Sequence, residues 1–331
     1  MNKQIKRTQP AATQANQRPK KNGLLKILLL VLFLSLLVIM LYVVVAEIKR
    51  RKSPVVKPPY EVTVEEPEPA ELETEQEEEL QPEPGFYFAN AALIEATKNF
   101  ADLVYGGAPK PGKKSDYSTL SNTSYYSGYS AERGNPLWVG YRLDAVNTQK
   151  RKNKRPSFRD DSRISLSGLP SVYTKSGYDR GHLAPNAPIL HRYGVDGQRE
   201  TFLMSNIIPQ TPTLNRRIWV KTERLEEQYS EEFGKVYVFA GPVFGQNPLY
   251  LQNKVEIPEA SYKIIINESK DGGSFRVLPM LIPQTVSGLE KPETFLTSID
   301  AIEKATGLNF FEPMLDHYED KLEAEVHEQL W

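Results

Sequence analysis

The C-terminal part of this chain is predicted to be an α+β domain, on two observations. Helical and strand periodicities follow one another in no regular βαβ rhythm, and the strand candidates are short apolar runs closed by Gly, Pro or Asn. No internal repeat is visible, so one non-repetitive core is expected.

In chain order, a basic tail (residues 1–23) comes first, then an apolar segment (residues 24–46) whose centre, Ile27 to Ala46, is broken only by Ser35. As a helix that centre is about 30 Å long, the thickness of the hydrocarbon core, which predicts a single membrane-spanning helix. A cleaved secretory signal needs a shorter apolar region and a small-residue cleavage site, and Val-Val-Val-Ala-Glu supplies a poor one. Basic residues flank both ends, Lys20 and Lys21 before and Lys49, Arg50, Arg51 and Lys52 after, so loop charge does not decide the orientation.

Residues 47–84 follow, with Pro, Glu and Val alternating from Ser53 to Pro84. Such a stretch buries too little apolar area to order itself, and its like charges extend it, so it reads as a tether. The remaining residues, 85–331, form the domain.

Within the domain, Asn90 is expected to cap a helix that runs through Val104 and stops at Gly106-Gly107. Residues 115–136 are rich in Ser, Tyr and Gly and read as hairpins or loops; Trp138 to Leu143 reads as a strand. A longer helix is expected from about Asn215 to Phe233, with Leu214, Ile218, Leu225, Tyr229 and Phe233 on one face and charge on the other. Val236 to Ala240, Tyr262 to Ile266 and Phe275 to Leu281 read as buried strands. Thr297 with Asp300 resembles a capping box opening a helix that ends at Gly307.

The formal net charge of −1 conceals blocks of opposite sign. Residues 1–57 carry twelve Lys or Arg against Glu47, and residues 58–84 carry eleven Glu and no base. A partner rich in phosphate must therefore be met by a local basic patch rather than by the domain as a whole. The absence of cysteine excludes disulfides, thiolate metal sites and cysteine nucleophiles.

Among the histidines, His317 and His327 lie on a polar acidic tail and read as solvated, and no HExxH pattern is present. His182 stands in GYDRGHLAPNA, where Asp179, Arg180, Gly181 and His182 bring an acid, a fixed cation, a flexible backbone and a titratable base together. Phosphodiester hydrolysis needs a base for water and a cation for the charge that develops at phosphorus, and His182 with Arg180 offers both. The same tetrapeptide is also compatible with a salt-bridged turn around a structural histidine.

Downstream, SNIIPQTPTLNRRIWVKTE places Ser205, Asn206, Pro209, Gln210, Leu214, Asn215, Trp219 and Glu223 at fixed offsets. Together with DRGH this resembles the DNA/RNA non-specific endonuclease family, the endonuclease G-like ββα-metal (His-Me finger) nucleases. Further echoes are WVGYRL at Trp138, RPSFRDD at Arg155, FAGPVF at Phe239 and IPEASYK at Ile257, so the resemblance covers roughly Phe86 to Phe311.

The resemblance implies a central antiparallel sheet flanked by helices, and relaxed cleavage of DNA and RNA to 5′-phosphate products. It makes His182 the general base, with Arg180 and Arg155 binding phosphate and stabilising the transition state. Asn215 is similar in position to the single side chain that binds Mg2+, with Mn2+ as a substitute. Asn206 would hydrogen-bond within the finger, and Glu223 would orient water at the metal. On a regular helix Asn215 and Glu223 are about 12 Å apart and rotated by about 80°, so joint direct ligation is not expected.

Lys150, Arg151, Lys152, Lys154 and Arg155 form the expected patch, whose contact with nucleic acid would be sequence-blind and salt-sensitive; an exposed solvated loop is the alternative for its outer lysines. Tyr117, Tyr125, Tyr126 and Tyr129 are read as packing rather than as base-stacking platforms. Because a nuclease facing the cell's own nucleic acid would be harmful, the domain of this single-pass membrane protein is expected outside the cytoplasm. A membrane receptor that binds nucleic acid without cutting it is the alternative. A homodimer and an inhibitor protein stay open.

Overall fold

The apolar runs of the sequence become the middle of one antiparallel sheet. The computed structural model describes residues 91–112, 116–146, 151–268, 275–314 and 316–331. The basic tail, the expected span at residues 24–46, the tether of residues 47–84 and Lys150 lie outside the described residues. Among those described, no helix is long and apolar enough to cross a membrane.

In chain order the elements are α1 (Ala91–Asn99), β1 (Lys110–Pro111), β2 (Ser118–Ser121), β3 (Tyr126–Ser130), β4 (Asn135–Asp144), α2 (Leu169–Val172), β5 (Asp179–His182), α3 (Asn186–Glu200), β6 (Ile207–Gln210), α4 (Val220–Phe233), β7 (Lys235–Val243), β8 (Leu249–Leu251), β9 (Val255–Ile257), β10 (Ala260–Glu268), β11 (Phe275–Pro283), α5 (Ile299–Thr306), β12 (Leu308–Asn309) and α6 (Asp316–Ala324). Six strands form the central sheet in the order β11-β10-β7-β4-β3-β2, with every pair antiparallel.

Both faces of this sheet are covered, which is why its central strands read as continuous apolar runs instead of an alternating pattern. Val139, Tyr141, Leu143, Val238, Ile265 and Leu278 face one layer, which contains Leu214, Ile218, Trp219 and Tyr229. Trp138, Tyr237, Phe239, Tyr262, Ile264 and Val277 face the other, which contains Leu93, Val104, Ile299, Ile302 and Phe310. The DRGH strand and the helix after it belong to the first layer. The mixed fold with an antiparallel centre is as expected.

Three local expectations are corrected. The first helix stops at Asn99, not Val104, because Ala101 (φ 51) and Asp102 (φ 56) turn left-handed, while Leu103 and Val104 still pack into the core. The cap of α5 is Ser298, not Thr297: the Ser298 side chain accepts from Ala301 N at 3.1 Å, and the helix closes at Gly307 as expected. Finally, α3 arises where no helix was foreseen, since Pro188, Gly194 and Gly197 mask its pattern, and Gly194 (φ 79) does interrupt it.

Candidate active site

Strand β5 is the DRGH segment itself, paired antiparallel with β6 so that Asp179 lies opposite Gln210 and His182 opposite Ile207. After β6 the chain enters a π-helical stretch, Leu214–Trp219, which runs straight into α4. These pieces are two strands and a helix in one finger. Its register is locked at both ends of β5: Asn215 Nδ2 donates to Asp179 Oδ2 at 3.0 Å, and Trp219 Nε1 donates to the His182 carbonyl at 3.0 Å. Gly181 is required by a close approach, because a Cβ there would meet the buried Gln210 side chain at 2.3 Å.

His182 is buried at 7% exposure, between Phe158 (ring centroids 5.3 Å) and Phe202 (4.8 Å, edge-on). Its Nε2 is enclosed with no hydrogen-bond partner. Burial, reinforced by the Arg155 charge, pushes its pKa down to about 3, so the imidazole is neutral at physiological pH.

The loop carrying Arg155 is fastened by two adjacent carboxylates. Asp160 accepts from the backbone N–H groups of Gly168 (2.7 Å) and Leu169 (2.9 Å), while buried Asp161 accepts from Ser205 Oγ at 2.6 Å and pairs with Arg163. Burial acts to raise the Asp161 pKa, but Arg163 and Ser205 outweigh it and hold the carboxyl below its ordinary range. Arg159 N and O bond Phe202 O and Met204 N at 3.1 and 3.0 Å. The exposed Arg155 guanidinium is thereby set 5.3 Å from the Phe202 ring centroid, on the same ring that His182 packs against.

Arg180 shares the Phe158 ring with His182. Its Nε and Nη2 donate to the Pro170 carbonyl at 3.2 and 2.5 Å, so part of its fork is committed to holding α2. Asn206 is wholly buried. Its Oδ1 accepts from Ala184 N at 2.8 Å, and its Nδ2 donates to Ala184 O (3.0 Å) and Thr201 O (2.9 Å). These bonds all go to backbone and fix the chain leaving His182.

Asn215 is half-buried. With its Nδ2 fixed on Asp179, its Oδ1 has no donor among the described residues. Asp179 also takes a bidentate pair from Arg216, both contacts 2.7 Å, which with Asn215 keeps the carboxyl ionised against the effect of burial. The π-helical stretch bears on the expected offset between Asn215 and Glu223. An i→i+5 ladder advances less per residue than an α-helix, which reduces the roughly 80° rotation between them. Sequence periodicity carries no signal for such a stretch.

Glu223 is half-buried, and its pKa is pushed up to about 7 by burial and by Glu226, against the pull of Lys263 and Arg155. Arg155 therefore acts electrostatically on both His182 and Glu223. Beneath them lies a feature missing from the sequence reading. Lys263 in β10 is fully buried, pairs with the fully buried Glu226 and lies 4.3 Å from the Trp219 ring centroid; Glu226 also accepts from Tyr141 OH at 2.7 Å. The available signal was a lone lysine inside the apolar run SYKIII. Glu226 belongs to a helix whose charge is expected outward, yet its side chain is fully buried.

Arg151, Lys152, Lys154 and Arg155 are all exposed. Tyr125 and Tyr129 are buried, as the packing reading requires, and Tyr117 stands edge-on to Trp138 at 5.7 Å. His191 pairs with Glu227 at 3.2 Å, away from His182. His327 is not a solvated side chain as expected; it is 20% exposed and lies 3.6 Å from Glu325.

The model of the DNA/RNA non-specific endonuclease family matches residues 106–317. This chain belongs to that family. A nuclease from Nostoc sp. is 28% identical over 234 residues, covering 67% of this chain and 82% of its own. Human mitochondrial endonuclease G is 31% identical over 205 residues, 57% of this chain and 68% of its own. The fold is similar to a crystal structure of the EndoG/EndoGI complex, with a TM-score of 0.53 and 27% identity over 60% of this chain and 86% of that one.

Proposed function

We propose that this non-specific endonuclease hydrolyses phosphodiester bonds of DNA and RNA without reading sequence, with His182 as general base and Asn215 as the protein ligand of Mg2+. The observation that carries this reading is the neutral, buried imidazole at the end of a strand locked to the Asn215 helix at both ends. The donor set suits a hard cation. An amide oxygen lacking a donor is a ligand type Mg2+ accepts, and one protein ligand leaves room for water and substrate phosphate. When bound, Mg2+ supplies charge neutralisation at the phosphate and assistance to the departing 3′ oxygen; Mn2+ would serve similarly.

The remaining roles belong to this chain's side chains. Since Nε2 is enclosed, Nδ1 is the ring nitrogen that takes the proton from the attacking water. Arg155 and the uncommitted Nη1 of Arg180 hold the phosphate, and each places fixed positive charge where negative charge grows. Glu223 orients water on the helix side, while Asn206 keeps the His182 strand in place. Loss of the 3′ oxygen leaves a 5′-phosphate product.

Arg151, Lys152, Lys154 and Lys150 extend phosphate contact along the strand, a mode that ignores base identity. A cavity of 780 Å³ lined by Arg133, Glu256 and Lys304 shares no residue with this arrangement. Residues 24–46 tether the enzyme in the membrane, with the domain on the non-cytoplasmic side; protease accessibility of the Glu-rich tether in intact cells tests the orientation.

The direct assay of the reading is degradation by the purified chain at low salt. Plasmid DNA and an RNA transcript should both disappear with Mg2+ and persist with EDTA. A plasmid left intact in both Mg2+ and Mn2+ would overturn the proposal.

A further inference from the structure

A second cluster of oxygen ligands lies apart from the proposed site. Asp300 and Glu303, three residues apart on α5, meet Glu323 of α6, and one carboxylate oxygen from each lies within 4.8 Å of the others. Glu323 is 6% exposed, and its Oε1 is enclosed without a hydrogen-bond donor. Buried carboxylate oxygens normally receive donors or a cation, since an unpaired buried charge is costly. Here the nearest groups are further carboxylates, and Glu319 and Asp320 add like charge from the same helix.

We propose that Asp300, Glu303 and Glu323 form a binding site for a hard divalent cation, with Ca2+ as the ion they fit. The spacing is consistent with this choice. With Ca2+–oxygen bonds of about 2.3–2.6 Å, ligands on opposite sides of the ion are about 4.6–5.2 Å apart. The three oxygens already fall inside that limit. Three carboxylates suit an ion that takes six to eight oxygens in flexible geometry, water completing the shell. Glu303 also accepts from Phe310 N at 2.6 Å, so one of its oxygens is fixed by the chain leaving α5.

The site differs in kind from the one at Asn215, where a single neutral amide is offered. Its effect would be on the fold: a cation bridging α5 and α6 pins the C-terminal helix to the layer that holds Ile299, Ile302 and Phe310. Without a cation the cluster is self-repelling.

Thermal unfolding of the EDTA-treated full chain, with CaCl2 as the only added divalent metal, tests this. In the wild type, 5 mM Ca2+ should raise the melting temperature by about 3–8 °C. The Asn215→Ala variant should show the same rise, because the proposed catalytic ligand is not involved. Glu323→Gln should lose it, and Asp300→Asn, at an exposed position where misfolding is not at issue, should weaken apparent Ca2+ affinity at least tenfold. A wild type that does not respond, a response equalled by NaCl of the same ionic strength, or an undiminished response in Asp300→Asn would overturn the site.

Discussion

The indole Nε1 of Trp219 donates to the main-chain carbonyl of His182 at 3.0 Å, so the helix that follows Asn215 holds the strand that carries the imidazole. Trp219→Phe keeps most of the ring and removes the donor, leaving a buried carbonyl unpaired at a cost of about 1–3 kcal/mol. The expected outcome is a lower urea midpoint and a kcat reduced about tenfold with little change in KM. An unchanged kcat would show that the strand is held without the indole.

The buried pair of Lys263 and Glu226 gives a second prediction. Lys263→Met should destabilise by about 3–5 kcal/mol, because it strands the Glu226 carboxylate in a core without a counter-charge. Adding Glu226→Gln to that variant should recover most of the loss, and a double-mutant cycle by chemical denaturation measures the recovery. Additive losses would mean the two charges do not depend on each other.

Stability should also fall on acidification, with a contribution from His182 whose sign is fixed. The folded-state pKa is about 3 and the ordinary value 6.5, so between them the unfolded chain binds more protons. The neutral-pH stability therefore declines as pH drops below about 6.5, by on the order of 3 kcal/mol at pH 4 from this group alone. His182→Gln should lack that component. Parallel pH–stability curves for the two proteins would contradict the depressed pKa.

Substrate binding should depend steeply on salt. Arg151, Lys152 and Lys154 are exposed, and each phosphate contact on duplex DNA contributes a slope of about 0.9 in log affinity against log salt. A Lys152→Ala/Lys154→Ala double variant should flatten the salt dependence of KM by up to about two such steps and leave kcat near wild type. A slope that does not change would return these lysines to the role of a solvated loop.

The sequence was most informative where burial on both sides left unbroken apolar runs. Val236 to Ala240 and Tyr262 to Ile266 fall inside β7 and β10, and WVGYRL inside β4. The finger was legible through DRGH and the spacing around Asn215, which is chemistry rather than periodicity. What stayed hidden depends on three-dimensional packing. The π-helical stretch at Leu214–Trp219 leaves no mark on hydrophobic spacing, and Glu226 became a core residue only because Lys263 arrives from a strand 37 residues away. Asp179, read as one acid of a motif, proved to fix both Asn215 and Arg216, a link visible only once β5 and the helix are side by side.

The most direct examination of the account is the turnover of His182→Ala on plasmid DNA and RNA with Mg2+ at low salt, measured beside its melting curve. Loss of the base should lower kcat by about 10²–10⁴ while cooperative unfolding and binding to uncleaved DNA are preserved. A folded His182→Ala protein that cuts at the wild-type rate would contradict it, and the base would then have to be sought elsewhere in the finger.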